Sequence, residues 1–228
     1  MMGRYRAVVF DLDGVLWDGE PLYHEAFNVV LRPLGHVVSQ EEYTNIIGHS
    51  VESAWDWVIG HFGLVEPRDE FVRQYDEAVL KMLSEPVEPL PGVRELIAEL
   101  HRRRIPVGLA SASLRQWVDA TIRGLGLEDA FGVTVSASEV EHAKPAPDLY
   151  LKAAARLGVP PEQCVAVEDT GAGLASAKAA GMFGIQTRAS STALPPLPAA
   201  DMVIEAYSEF DFGLLDWGQP ACPEVSKE

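Results

Sequence analysis

The chain has 228 residues, 47% of them hydrophobic and 23% charged, and 34 Asp and Glu against 18 Lys and Arg give a formal net charge of −16. That length suits one large domain or a core domain with a smaller insert, and the balance excludes a disordered chain, a collagen-like repeat and a small disulfide scaffold. The acidic excess disfavours nucleic acid and anionic membrane surfaces as partners.

Residues Ala7 to Leu12 read as a short buried strand, Ala-Val-Val-Phe followed by Asp11. From Pro21 to Ser84 no strand is evident, and apolar spacing predicts helices over Leu22–Leu34, Glu41–Ile46, Val51–Phe62 and Asp69–Leu83. Pro86, Pro89 and Pro91 mark the end of this helical insert. Beyond it, a helix is expected over Val93–Arg103, then a strand over Ile105–Ala110 ending at Ser111. Helices over Leu114–Leu125 and Leu149–Leu157 follow, each closed by a glycine, Gly126 and Gly158. A third strand, Val165–Val167, ends at Glu168 and Asp169, and a helix over Ala172–Ala180 ends at Gly181. Gly184–Thr187 is a weaker strand and Met202–Ile204 an edge strand. Short apolar runs alternating with helices of this length predict an α/β fold: a doubly wound, Rossmann-like parallel sheet interrupted by a helical cap. The expected division is a core of residues 1–17 and 86–217, a cap of 18–85 and a loose C-terminal tail of 218–228.

Of the two cysteines, Cys164 reads as a small buried hydrophobe and Cys222 as a thiol on the tail; neither has a neighbour at metal-ligand spacing. The apolar run after Arg4 and Arg6 is too short for a signal peptide, and no stretch approaches the roughly 20 apolar residues of a membrane span. The expectation is a reduced, cytoplasmic protein, monomer or homodimer.

Ligands of open α/β sheets bind beyond the carboxyl ends of the strands. Here those ends carry Asp11 and Asp13, Ser111, and Glu168 with Asp169, while Lys144 lies in a loop before a helix. Singly, each has an ordinary explanation as a turn former, a helix cap or a surface lysine. Jointly they describe a site. Several carboxylates together repel one another unless a cation is present, and an oxygen-rich donor set favours Mg²⁺. Mg²⁺, a lysine and a hydroxyl suit a phosphate. Asp11 is placed to ligate metal with one oxygen and attack with the other, and Asp13 to act as general acid and then as base toward water.

The order Asp-x-Asp-Gly, Ser, Lys-Pro, Glu-Asp resembles the haloacid dehalogenase-like phosphohydrolase superfamily. The strings Phe10 to Leu16, His142 to Asp148 and Val167 to Gly173 resemble its β-phosphoglucomutase and phosphoglycolate phosphatase branch, and the resemblance runs to about Ile204. It implies that Asp11 is the nucleophile, forming an aspartyl-phosphate, and that Asp13 is the general acid/base and gives a backbone carbonyl to the metal. It further implies that Ser111, Ala112 and Lys144 hold the phosphate, that Asp169 ligates Mg²⁺, and that Glu168 is a metal ligand or a carboxylate behind it. Because Asp13 is present, dehalogenation is not expected.

The cap decides between phosphatase and mutase. Residues 18–84 hold four basic residues, Arg32, Arg68, Arg73 and Lys81, against twelve acidic ones. A mutase must grip a second phosphate from the cap, so this acidity favours a phosphatase of small phosphorylated metabolites, with a phosphohexomutase as the alternative. Ser111-Ala112-Ser113 and His24 match the mutase pattern; His49 and Arg115 are further candidates for substrate contact. One of Trp55 and Trp57 is expected in the cap core, since residues two apart on a helix do not share a face. A phospho-acceptor signalling module is the alternative of another class, opposed by the cap and by Asp13.

Overall fold

The computed structural model describes residues 4–191 and 195–216. The expected tail and Cys222 lie outside the described residues. The chain divides into two compact units: residues 1–17, 89–115 and 127–228, and residues 18–88 with 116–126.

The first unit is built on six strands: β1 (Ala7–Phe10), β2 (Val107–Ser111), β3 (Val133–Ser136), β4 (Cys164–Glu168), β5 (Phe183–Thr187) and β6 (Met202–Ile204), with α5 (Val93–Arg102) ahead of β2, one residue shorter than expected. All pair in parallel, in the order β3-β2-β1-β4-β5-β6. The expected parallel sheet is therefore present, with one strand more than the sequence suggested. β3 was not anticipated because it is a four-residue edge strand, Val-Thr-Val-Ser, whose first two residues are only half-buried. β1 is shorter than expected, ending at Phe10, although the Asp11 N–H still donates to the Val167 carbonyl at 3.0 Å.

Both faces of the sheet are covered, which is why its strands lack polar alternation. Ala7 and Val9 pack with Ala110, Val135 and Ala166 under α7 (Asp148–Leu157) and α8 (Gly171–Ala179). Val8 and Phe10, pointing the opposite way, are equally buried. Cys164 sits in this core, and burial pushes its thiol up to about 12. It is a packing residue, as expected, with little thiolate at neutral pH. Opposite β1 the strand order reverses: β2 and β3 extend one way, β4 to β6 the other. The ends of β1 and β4 thus flank the switch point where such sheets hold ligands.

The second unit contains α1 (Glu20–Leu31), α2 (Gln40–Tyr43), α3 (Val51–Phe62) and α4 (Arg68–Met82), close to the expected helices. Ser39 caps α2 with a reciprocal Ser39–Glu42 box, and Ser50 caps α3. Trp55 is fully buried, stacked on Phe71 at 5.0 Å and beside Phe27 at 4.9 Å, whereas the half-buried Trp57 stacks on His61 at 4.5 Å. Trp55 is therefore the core member of the pair. Most of α6 (Arg115–Gly124), which the sequence had placed with the sheet, groups with these helices. The reason is local: Gln116 and Trp117 both donate to the Asp76 carboxylate of α4, and Trp117 stacks on Tyr23 of α1 at 5.6 Å. Among the described residues no helix is long and apolar enough to cross a membrane.

Candidate active site

The loop after β1 turns sharply so that two carboxylates leave it close together. Gly14 makes the turn possible with a φ of +75°, and the loop closes where the Gly14 N–H donates to the Trp17 carbonyl at 2.9 Å. A Cβ on Gly14 would stand 2.1 Å from Asp169 Oδ2. Gly14→Ala must therefore accept a left-handed alanine, costing about 1–2 kcal/mol, and push Asp169 aside as well. Its melting temperature is expected to fall by roughly 2–8 °C. An unchanged melt would show that the loop yields freely.

Lys144 lies in the loop before α7, within a turn that the Ala146 N–H closes by donating to the Ala143 carbonyl at 3.0 Å. Its side chain is 6% exposed. Nζ donates to Asp11 Oδ1 and, at 2.5 Å, to Glu168 Oε1. Burial works against this ammonium, but Asp11 and Glu168 outweigh it and hold its pKa above the ordinary lysine range. The two carboxylates thus favour its charged form.

Glu168, at the end of β4, is completely buried and fully engaged. Oε1 also accepts from the Tyr150 hydroxyl at 2.8 Å. Oε2 accepts from the Asp169 N–H at 3.1 Å, the Thr170 N–H at 3.4 Å and Thr170 Oγ1 at 3.3 Å. It packs so closely on the first turn of α8 that a Cβ on Gly173 would overlap its carboxylate. Asp169 differs: its Oδ1 is buried yet accepts no hydrogen bond. Burial, then the charges of Glu168 and Asp13, push its pKa up to about 7. Asp11 is likewise raised well above the ordinary carboxylate range by burial; Lys144 pulls it down, while Glu168 and Asp169 push it up.

Asp11, Glu168 and Asp169 each offer an oxygen within 4.8 Å of the others. An all-oxygen donor set with an unsatisfied buried carboxylate oxygen fits a hard divalent cation. Such a cation would offset the mutual repulsion that adds to burial in raising Asp11 and Asp169.

Asp13 is held from two sides, Oδ1 by Trp17 Nε1 at 3.1 Å and Oδ2 by Ser113 Oγ at 2.9 Å. Ser111 ends β2, is buried, and accepts from the Ser113 N–H at 3.1 Å; Ala112 follows it in the exposed part of this loop. The first unit thus brings together Asp11, Lys144, Glu168 and Asp169, and ties Asp13 to the 111–113 loop.

The three candidates for substrate contact are engaged differently. His24 Nε2 donates to the Val38 carbonyl at 2.7 Å, and its ring stacks on Tyr43 at 4.5 Å, so it anchors a loop within the helical unit. His49 is exposed in the loop before α3. Arg115 donates to Thr134 Oγ1 at 2.9 Å, to the Thr134 carbonyl at 3.2 Å, and to Glu139. It braces β3. Sequence reasoning gave no role to Trp17, Tyr150 or Thr170, although Thr170 lies within the Val167 to Gly173 string and Trp17 stands four residues after Asp13 in a Gly-turned loop.

The sequence model of the haloacid dehalogenase-like hydrolases matches residues 5–181. Fructose-1-phosphate phosphatase YqaB of Escherichia coli is 36% identical over 192 residues, spanning 82% of this chain and 99% of its own. β-Phosphoglucomutase of Bacillus subtilis is 30% identical over 224 residues, spanning 94% and 96%. Among solved structures, CbbY of Rhodobacter sphaeroides in complex with phosphate superposes with a TM-score of 0.77 at 27% identity, covering 92% of this chain and 96% of its own. With that site at the switch point of that sheet, the chain belongs to the haloacid dehalogenase-like hydrolase family.

Proposed function

We propose that the protein is a Mg²⁺-dependent phosphatase of small phosphorylated metabolites, sugar phosphates first, acting through an aspartyl-phosphate on Asp11. The observation that carries this reading is the buried Lys144 bridging Asp11 and Glu168 beside the unsatisfied Asp169 oxygen. One Asp11 oxygen attacks phosphorus. The bond to the leaving oxygen breaks, and Asp13 gives that oxygen a proton. Asp13 then takes a proton from the water that releases phosphate. Lys144 and donors of the 111–113 loop hold the phosphoryl oxygens. Asp11 and Asp169 would hold Mg²⁺, with the Asp13 carbonyl, and the ion would offset the charge of the phosphate dianion. Glu168, with both oxygens already engaged, anchors Lys144 and the 169–170 turn.

Of the relatives named above, one is a fructose-1-phosphate phosphatase and one a β-phosphoglucomutase, and hexitol phosphatase B of Escherichia coli is 34% identical over 206 residues. The cap favours hydrolysis: Arg32 pairs with Glu25 at 2.6 Å, Arg68 with Asp56 at 3.1 Å, and Arg73 with Glu70 at 2.6 Å. A second phosphate dianion would have to take these arginines from their carboxylates. Phosphorus NMR of β-glucose 1-phosphate, fructose 1-phosphate and hexitol phosphates with Mg²⁺ should show inorganic phosphate outpacing any isomerised sugar phosphate, and EDTA should stop it. Glucose 6-phosphate accumulating faster than phosphate would establish the mutase instead. Failure to turn over even p-nitrophenyl phosphate repeatedly would favour a phospho-acceptor module.

A further inference from the structure

Trp17 is 3% exposed and closes the catalytic loop. Its backbone is fixed: its carbonyl accepts from Gly14, and Asp13 and Trp17 pair as an isolated bridge. The residues before it are fixed as well. The Leu16 N–H donates to the Leu12 carbonyl at 2.8 Å, the Leu90 N–H to the Leu16 carbonyl at 2.8 Å, and the buried Tyr207 hydroxyl to the Val15 carbonyl. From this rigid base the indole N–H reaches Asp13 Oδ1 at 3.1 Å, while Ser113 Oγ reaches Oδ2 at 2.9 Å.

The two partners are chemically unequal. An indole N–H donates and cannot accept, whereas a hydroxyl does either. A proton on the oxygen facing Trp17 would have to share that oxygen with a donor fixed on it; a proton on the oxygen facing Ser113 only requires the hydroxyl to rotate. We infer that Trp17 is a positioning residue for Asp13: it pins one carboxyl oxygen as an acceptor and fixes the carboxyl plane, so that the proton given to the leaving group departs from the oxygen beside Ser113. In that step the Asp11–phosphorus bond forms, the phosphorus–alkoxide bond breaks, and the Asp13 proton moves to the alkoxide. The inference rests on Asp13 being the general acid.

Leaving-group dependence tests it. An alkoxide leaving group needs a proton, and p-nitrophenolate does not. Trp17→Phe should lower kcat/KM for fructose 1-phosphate at least about tenfold, a part of the 10²–10⁴ that general acid catalysis supplies. For p-nitrophenyl phosphate the loss should be far smaller. Asp13→Asn should show the same pattern with a larger contrast. Because Trp17→Phe could disturb a buried position, β-(3-benzothienyl)alanine at residue 17, which replaces the N–H with sulfur at nearly constant shape, should reproduce it. If Asp13→Asn shows the contrast and both Trp17 replacements lose equally on the two substrates, or lose nothing, the positioning role is wrong while Asp13 stands as the acid. If Asp13→Asn shows no contrast, the acid assignment fails and the inference with it.

Discussion

Asp11→Asn is expected to reduce turnover of any phosphate ester by roughly 10⁴- to 10⁶-fold, the scale of deleting an enzyme nucleophile. The substitution keeps the shape of the side chain and leaves its main chain anchored to Val167. It removes the charge whose burial is costly, so the variant should fold. Lys144 keeps an acceptor in the amide oxygen and in Glu168. What is lost is the oxygen that attacks phosphorus. Acid-quenched wild-type enzyme should carry a phosphoryl group on the peptide containing Asp11, detectable by mass spectrometry, and the variant should carry none. Turnover within about tenfold of wild type would rule out the covalent route, since only a group outside the chemistry is so dispensable.

Lys144→Met should be the most destabilising single change at the site. It leaves Asp11 and Glu168 buried without their cation, a situation that costs about 3–5 kcal/mol when one partner of a buried pair is removed. The deficit should depend on pH in a defined direction. Burial already lifts the Asp11 pKa above its unfolded value in spite of Lys144, and without Lys144 it rises further. A carboxyl with a raised folded pKa binds more protons folded than unfolded between those two values, so stability falls as pH rises through that window. Urea unfolding should therefore show a large deficit near about pH 8 and a smaller one near about pH 5. Adding Glu168→Gln should recover part of the loss by removing one of the stranded charges. A deficit that ignores both pH and Glu168 would mean that Lys144 contributes packing alone.

The sheet was legible wherever its strands are buried on both faces, because β1, β2 and β4 appear as uninterrupted apolar runs. β3 was not, since an edge strand with Thr134 and Ser136 carries neither a long run nor a clean alternation. Asp11, Glu168 and Asp169 were legible as residue types at strand ends and Lys144 as a lysine in a loop before a helix, but nothing local announces that Lys144 meets an aspartate 133 residues earlier. Topology does that, by placing β1 beside β4. The residues whose partners the sequence did not show share one property: those partners are set by the fold. His24 looked available because its bond to Val38 spans a loop, and Arg115 because Thr134 and Glu139 lie on an element the sequence did not show. Tyr150 and Trp17, which the sequence reading did not single out, are buried aromatics that each donate to a site carboxylate.

Arg115 has a second effect that reaches beyond the site. The carbonyl of Thr134 points away from the sheet, on the free side of an edge strand, and it accepts from Arg115 at 3.2 Å and from Arg156 at 3.0 Å. The two guanidinium groups are joined beneath by Glu139. An extended segment from another chain, approaching to lengthen the sheet, would find this acceptor taken and two cations in its path. Open parallel sheets of this kind carry an inherent risk of strand-by-strand growth between molecules. Arg115, a candidate for substrate contact from the sequence, thereby also blunts the free edge at β3.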